Sequence, residues 1–315
     1  MKNSLEDVKN QRQLKSLIGL SREAFDKLLE AFSACLEETK NEQYRKNRKS
    51  RKRRPGGGRK GSLETPANKL FFILYYLKNY PTFDVLGFIF GISPSKAHEN
   101  VKKLIPVLKG AQKTLRVLPK QHFNNAAEFS QVIKNTKNIA IDATEREHFR
   151  HQNNQQQRQH FSGRKQRHTV KNTVIAAACK GILFVGKTVP GSRQDYALFK
   201  QEFDPREDWF KFVVASVDLG YQGIKKDYLS PENIRIPHKK PRQSKRNPQP
   251  SLTNKQKQEN KLMSRIRIVV EHAIGGMKGF HILTIKFRNR LKNFSNEAVL
   301  LSAGLWNLKK SFVVQ

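Results

Sequence analysis

Acidic residues are scarce in this chain. Its 315 residues include 26 Asp and Glu against 61 Lys and Arg, a formal net charge of +35. Cysteine is rarer still. Cys35 and Cys179 stand alone, without a CxxC pair or Cys/His ligand spacing, which argues against a disulfide scaffold or structural zinc and for a reducing compartment. Long apolar runs are missing too. The longest, Leu70–Leu77, is far short of the roughly 20 residues a bilayer span needs. Met1 to Gln13 is polar, with no apolar core of a secretory signal. Membrane, secreted and fibrous classes are therefore set aside, and a cytoplasmic protein of about two domains is expected.

The imbalance of charge asks for a polyanionic partner. Self-repulsion in the compact state is relieved on a phosphate backbone, which releases its counterions. Residues 16–39 read as one helix capped by Ser21, with Phe25, Leu28, Leu29, Phe32 and Leu36 at helical spacing. Arg45 to Lys60, RKNRKSRKRRPGGGRK, holds ten basic residues and no acid, and reads as an extended linker. Three helical patterns follow over 66–108. Gly91-Ile92-Ser93 makes a short turn between the last two, with Ser93 as cap and Pro94 at the first helical position. This is a helix-turn-helix pattern. Ala97, Val101, Leu104 and Leu108 share one face of the third helix, and Ser95, Lys96, Glu99, Lys102 and Lys103 point the other way, as a recognition helix in a major groove requires. A plain three-helix unit with a solvated face gives the same pattern. Pro106 is expected to end or kink the helix.

Beyond residue 126 the character changes to α/β. Asn138–Asp142 is a short strand. Thr169–Cys179 and Ile182–Val189 flank a Lys180-Gly181 hairpin turn. A helix opens after Gly191-Ser192, a strand covers Phe212–Val217, and Ile234–Ile236 is a further short one. Gln155–Gln157 reads as a polar loop, 239–258 as a loop, and helices are expected over Lys261–Met277 and Asn296–Lys309. The sum is a mixed sheet flanked by helices.

In so basic a chain the remaining acids carry information. Asp142 and Asp218 each end an apolar strand. Glu271 is the single acid between Glu259 and Glu297, set among Ile266, Ile268, Val269, Val270 and Ala273, a stretch expected to be mostly buried. A carboxylate there needs a partner or a metal. Three such groups could hold two divalent ions about 4 Å apart for displacement at phosphorus. An Asp at a strand end is also an ordinary turn residue, and Glu271 could simply pair with Arg267.

The context resembles the DDE-type transposases of bacterial insertion sequences, in the group typed on insertion sequence 5. Arg267, Glu271 and Lys278 match that group's R-3-E-6-K pattern, and at about 100° per residue all three share one helix face. IDAT at 141–144, HTVK at 168–171, PGS followed by Asp195, VDLGYQG at 217–223 and PTFDVLGFIFGIS at 81–93 are similar to the family's segments. Ser264 stands where the family has Tyr, and Gly275-Gly276 is expected to fray the helix before Lys278.

The resemblance implies an RNase H-like domain over 126–315, after a helical segment at 1–44, a basic linker at 45–65 and a helix-turn-helix domain at 66–125. It implies Asp142, Asp218 and Glu271 as catalytic ligands of two Mg²⁺ (or Mn²⁺) ions, with Arg267 and Lys278 on DNA phosphate; His168 and Asp195 are accessory candidates, against the plainer readings of a strand histidine and a helix-start aspartate favoured by the dipole. The expected partner is double-stranded DNA, both terminal inverted repeats and target, bound by a homo-oligomer at the nucleoid. A domesticated nuclease and a catalytically dead regulator are the alternatives.

Overall fold

The computed structural model describes residues 4–46, 61–244 and 248–314. Most of the basic linker, 47–60, lies outside them. In chain order the elements are α1 (Gln11–Ile18), α2 (Arg22–Lys46), α3 (Pro66–Asn79), α4 (Phe83–Phe90), α5 (Pro94–Thr114), α6 (Ala126–Val132), β1 (Asn138–Glu147), α7 (Asn154–His160), β2 (Phe161–Ser162), β3 (Arg167–Ala177), β4 (Ile182–Val185), β5 (Val189–Pro190), α8 (Asp195–Glu202), β6 (Val214–Ser216), α9 (Ile224–Asp227), β7 (Ile234–Arg235), α10 (Asn254–Lys278) and α11 (Phe294–Lys309). They form two compact units. The first comprises 1–118, 277–285 and 289–313, and the second 119–276, 286–288 and 314–315. Among the described residues no helix is long and apolar enough to cross a membrane.

Among its described residues the first unit is all-helical. The single helix expected over 16–39 is two, because Gly19 adopts φ 79° as the left-handed C-cap of α1 and Ser21 then opens α2, its Oγ accepting from Ala24 N at 3.3 Å. Phe25, Leu28, Phe32 and Leu36 of α2 are buried, whereas Leu29 is half-buried. Helix α5 does not end at Pro106 but continues to Thr114. The proline is exposed, so the carbonyl that loses its helical donor can meet water, and Leu104, Ile105, Val107, Leu108 and Ala111 anchor the helix on its other side. Helix α11 is buried nearly all round, as a central helix must be, and it packs on α5. Gly304 allows that approach, since a Cβ there would run into Gln112 Oε1, while Gln112 Nε2 donates to the Leu301 carbonyl at 3.1 Å. Residues 289–313 thus complete the helical unit, although in sequence they fall inside the 126–315 span expected for the second domain.

The second unit is built on a seven-stranded mixed sheet with the path β2–β3–β1–β6–β7, in which β4 and β5 also pair with β3. Strand β1 is antiparallel to β3 and parallel to β6, and β6 is parallel to β7. Val170 to Ala177 of β3 are buried at every position, as expected of a central strand covered on both faces. The hairpin turn falls at Lys180 (φ 69°), where Lys180 N donates to the Ala177 carbonyl at 2.8 Å. Gln155–Gln157 are helical rather than a loop: the Asn153 side chain accepts from Gln155 N and Gln156 N and starts α7. Helix α10 begins at Asn254, earlier than expected, and continues through Gly275-Gly276. Burial of Ala273 and Ile274 before the glycines and Met277 after them offsets their propensity cost of about 2 kcal/mol.

Candidate active site

Asp142 does not end its strand. The five residues after it pair with β3 as far as Glu147 opposite Thr169, so Asp142 sits mid-strand, opposite Val174. The apolar run stops at Asp142, but the ladder continues on alternating polar residues, which is why apolar character alone misplaces the boundary. Asp218 lies just beyond β6 and opens a short 3₁₀ turn, Leu219–Tyr221. Glu271 lies on α10 and is not buried as expected: its side chain is 54% exposed, and Ile268 beside it is 45% exposed.

Arg267 joins these elements. From α10 its Nη1 stands 3.2 Å from Asp218 Oδ1, and its Nη2 stands 3.5 Å from Glu271 Oε1. Its own side chain is only 19% exposed. The pairing with Glu271 foreseen as the plain structural alternative is therefore present, and Asp218 shares it. Asp142 feels the same group. Burial pushes its carboxyl up to about 6, against the lowering effect of its bond from Ala143 N and of the Arg267 guanidinium; Asp218 and Asp195 add repulsion. Four acids and one arginine thus form one electrostatic cluster drawn from β1, the post-β6 turn, α8 and α10.

Asp195, the first residue of α8, has a partner that sequence reasoning missed. Lys171 of β3, 8% exposed, places Nζ 2.8 Å from Asp195 Oδ1 and donates to the Arg193 carbonyl at 2.8 Å. A buried ammonium requires such a counter-ion, and the HTVK segment was the signal for it. The residues after Asp218 dock on the same helix: Tyr221, 1% exposed, sets its ring edge-on to Tyr196 and Phe199 at 6.2 and 5.8 Å. Burial and the surrounding carboxylates, Asp142 foremost, raise its phenol well above the ordinary range. His168 packs edge-on against Phe161 at 5.8 Å, a strand contact rather than a contact with the acids.

The donor set suits a hard divalent cation, since every candidate ligand atom is a carboxylate oxygen. Arg267 already supplies positive charge between Asp218 and Glu271, and the desolvated Asp142 would gain from a cation beside it. Among the described residues no three His, Cys, Asp or Glu side chains converge closely enough to hold one ion.

In the first unit the helix-turn-helix geometry is explicit. Thr82 caps α4, Gly91 closes it at φ 63°, and Ser93 Oγ accepts from Lys96 N at 3.3 Å to open α5. Gly87 must be glycine, because a Cβ there would strike the Ile92 carbonyl. Ala97, Val101, Leu104 and Leu108 are buried, and Ser95, Lys96, Glu99, Lys102 and Lys103 are exposed. Lys96 and Glu99 pair at 3.0 Å, a surface contact that is easily broken. Lys278 closes α10 and belongs to this unit.

Residues 141–307 match the family described as DDE superfamily endonuclease, and 61–112 match the helix-turn-helix of DDE superfamily endonuclease. The chain belongs to the DDE superfamily endonucleases. The first match spans β1 through most of α11, and the second spans α3, α4 and most of α5. The chain is also 28% identical over 297 residues, 94% of each protein, to the probable transposase for insertion sequence element IS702 of Microchaete diplosiphon. No solved structure matches it.

Proposed function

We propose that this DDE superfamily endonuclease is an insertion-sequence transposase, of the group typed on insertion sequence 5, that cleaves DNA at element ends and joins them to target DNA. The observation that carries the reading is the gathering of Asp142, Asp218 and Glu271 around Arg267 from segments far apart in sequence. The strand pattern supports an RNase H-like domain: three antiparallel strands, β4–β3–β1, followed by two parallel ones, β6 and β7. The full-length likeness to a probable transposase supports the biological role.

In this reading the exposed face of α5 binds the terminal inverted repeats, with Ser95, Lys96 and Glu99 at base edges and Lys102 and Lys103 near phosphates. Asp142, Asp218 and Glu271 are the residues that would hold two Mg²⁺ ions, or Mn²⁺, and the ions would supply Lewis-acid activation of water and charge stabilisation for displacement at phosphorus. Arg267 neutralises two of the acids in the free protein and offers its planar fork to a DNA phosphate in the complex. Lys278 adds a second phosphate contact. Lys171 holds Asp195, and with it the N-terminal end of α8, on which the turn carrying Asp218 rests. Hydrolysis leaves a 3′-OH, which attacks target DNA as the second nucleophile, so no covalent protein nucleophile takes part. A homo-oligomer brings two ends together.

The DNA around the gene tests the reading. Inverted repeats bounded by short target duplications should flank it. A duplex carrying such a repeat, incubated with the protein and Mg²⁺, should be cut at the repeat boundary. Absence of both repeats and end-specific cutting would remove the transposase reading.

A further inference from the structure

Between Glu147 and Asp195 the chain has no acid, and seven of the eight residues 152–159 are Asn or Gln. Residues 154–160 form α7, which packs on β3. A helix this short does not hold itself together in water, so its inner side is tied down. The His160 ring lies 4.2 Å from that of His151 and 5.8 Å from that of His148, which is 8% exposed. Arg150 Nε donates to Gln157 Oε1 at 2.8 Å, and Asn153 caps the first turn.

At about 100° per residue, Gln155, Arg158 and Gln159 lie on the side of α7 opposite Gln157 and His160. All three are exposed, as are Asn154 and Gln156 beside them. The outward face of α5 carries three lysines, whereas this one carries neutral amides around a single arginine. An amide holds a donor and an acceptor side by side, the pattern that pairs with N6 and N7 of adenine. Seven residues rise about 10 Å, roughly three base pairs at about 3.4 Å each, and a major groove about 12 Å wide admits a helix. The β2–β3 hairpin follows at once, with exposed Arg164 and Lys165 at its tip for the flanking phosphates.

Helix α7 also stands beside the acids. Ser192 N donates to the Gln159 carbonyl at 3.3 Å. The next residue, Arg193, offers its carbonyl to Lys171 Nζ at 2.8 Å, the same ammonium that pairs with Asp195. A Cβ on Gly220, two residues after Asp218, would lie 3.9 Å from Asp195 Oδ2. Hydrogen bonds and close contacts thus run from the end of α7 to the turn that carries Asp218.

We infer that Gln155 and Gln159 of α7 read adenine in the major groove of the element end beside the bond to be cut, and so set which phosphate meets the acids. The inference rests on the proposed cutting of element ends and deepens it, adding a specificity determinant in the second unit to the recognition face of α5 in the first. The element end is the occupant because a cut at one fixed boundary requires base reading within a few pairs of the acids.

The test uses the full chain with Gln155→Ala and Gln159→Ala together, beside Lys96→Ala, which alters α5 alone. The substrate is a repeat-bearing duplex with the base pairs on either side of the cut randomised. Cut and uncut duplexes are sequenced, and thermal melting confirms that each protein is folded. The wild type should favour adenine at one or two of the randomised positions by roughly 5- to 150-fold each, the worth of one bidentate contact. The double variant should still cut, with that preference lost. Lys96→Ala should keep it. A wild type that cuts at the repeat boundary without preferring adenine, or a double variant that keeps the preference while cutting every duplex more slowly, overturns the reading role of α7 and leaves the transposase reading standing. A wild type that makes no end-specific cut overturns both.

Discussion

Arg267 reaches from α10 to Asp218 across 3.2 Å and so ties that helix to the turn after β6. The same guanidinium faces Glu271 at 3.5 Å. In the free protein it serves as the counter-ion of the acidic cluster. Replacing Arg267 with Ala should lower thermal stability by about 1–2 kcal/mol, less than a fully buried pair because Asp218 is 44% exposed on its side chain. Added Mg²⁺ should then raise the melting temperature of the Ala variant more than that of the wild type. Equal Mg²⁺ effects on both proteins would mean that Arg267 does not balance the carboxylates. Arg267→Lys should fall between the two, because it keeps the charge and loses the fork.

Asp142 has a cost that pH can expose. Burial raises its carboxyl from 3.8 to about 6, so ionisation is disfavoured by up to about 3 kcal/mol. Between those values the folded chain holds a proton the unfolded chain has released. The stability contribution is complete below 3.8 and is lost as pH rises through 6. Asp142→Asn should therefore melt higher than the wild type at pH 7.5 without metal, and the gap should close near pH 4. Melting curves across that range check it, and a variant that is less stable at pH 7.5 would contradict the burial account.

His148 works in the opposite sense. It is 8% exposed, its ring lies 5.6 Å from those of His151 and Phe287, and burial, followed by His160 and His151, lowers its imidazole from 6.5 to about 4. Between 4 and 6.5 the unfolded chain binds a proton the folded chain refuses, so stability falls as pH drops through this window. His148→Phe keeps the aromatic stack and removes the titration. Relative to its own stability at pH 7.5, that variant should lose less on acidification to pH 5, as read by denaturant midpoints. A parallel loss in both proteins would place the acid sensitivity elsewhere.

The recognition face of α5 makes a separate prediction. Lys96→Ala should weaken binding to the terminal repeat by about 1–3 kcal/mol and binding to random duplex by much less, if Lys96 meets a base edge. Competition binding on the two duplexes measures this. Equal losses would confine Lys96 to phosphate.

Much of this was legible in the residues. The Gly91-Ile92-Ser93 turn fixes α4 and α5 because glycine permits the left-handed cap and serine supplies the next one. The faces of α5 follow from spacing alone. Where sequence reasoning failed, tertiary packing decided. Pro106 and Gly275-Gly276 stay helical because buried neighbours hold them, and Asp142 is mid-strand because its polar neighbours pair with β3. The assignment of 289–313 to the helical unit depends on α11 being buried all round, which a local pattern cannot distinguish from burial against a sheet. Lys171 passed as a strand lysine, since its partner Asp195 is 24 residues away and the pair is made only by the fold.

The most direct measurement is Glu271→Gln on a labelled duplex carrying the element end, with Mg²⁺, beside footprinting and melting of both proteins. Gln keeps the volume and the hydrogen-bonding capacity and removes the charge that helps hold a divalent ion. The account predicts that end cleavage and strand transfer are lost together while the footprint and the melting temperature persist. Near-wild-type cleavage by the folded variant would contradict it, leaving Glu271 as a structural partner of Arg267 and no more.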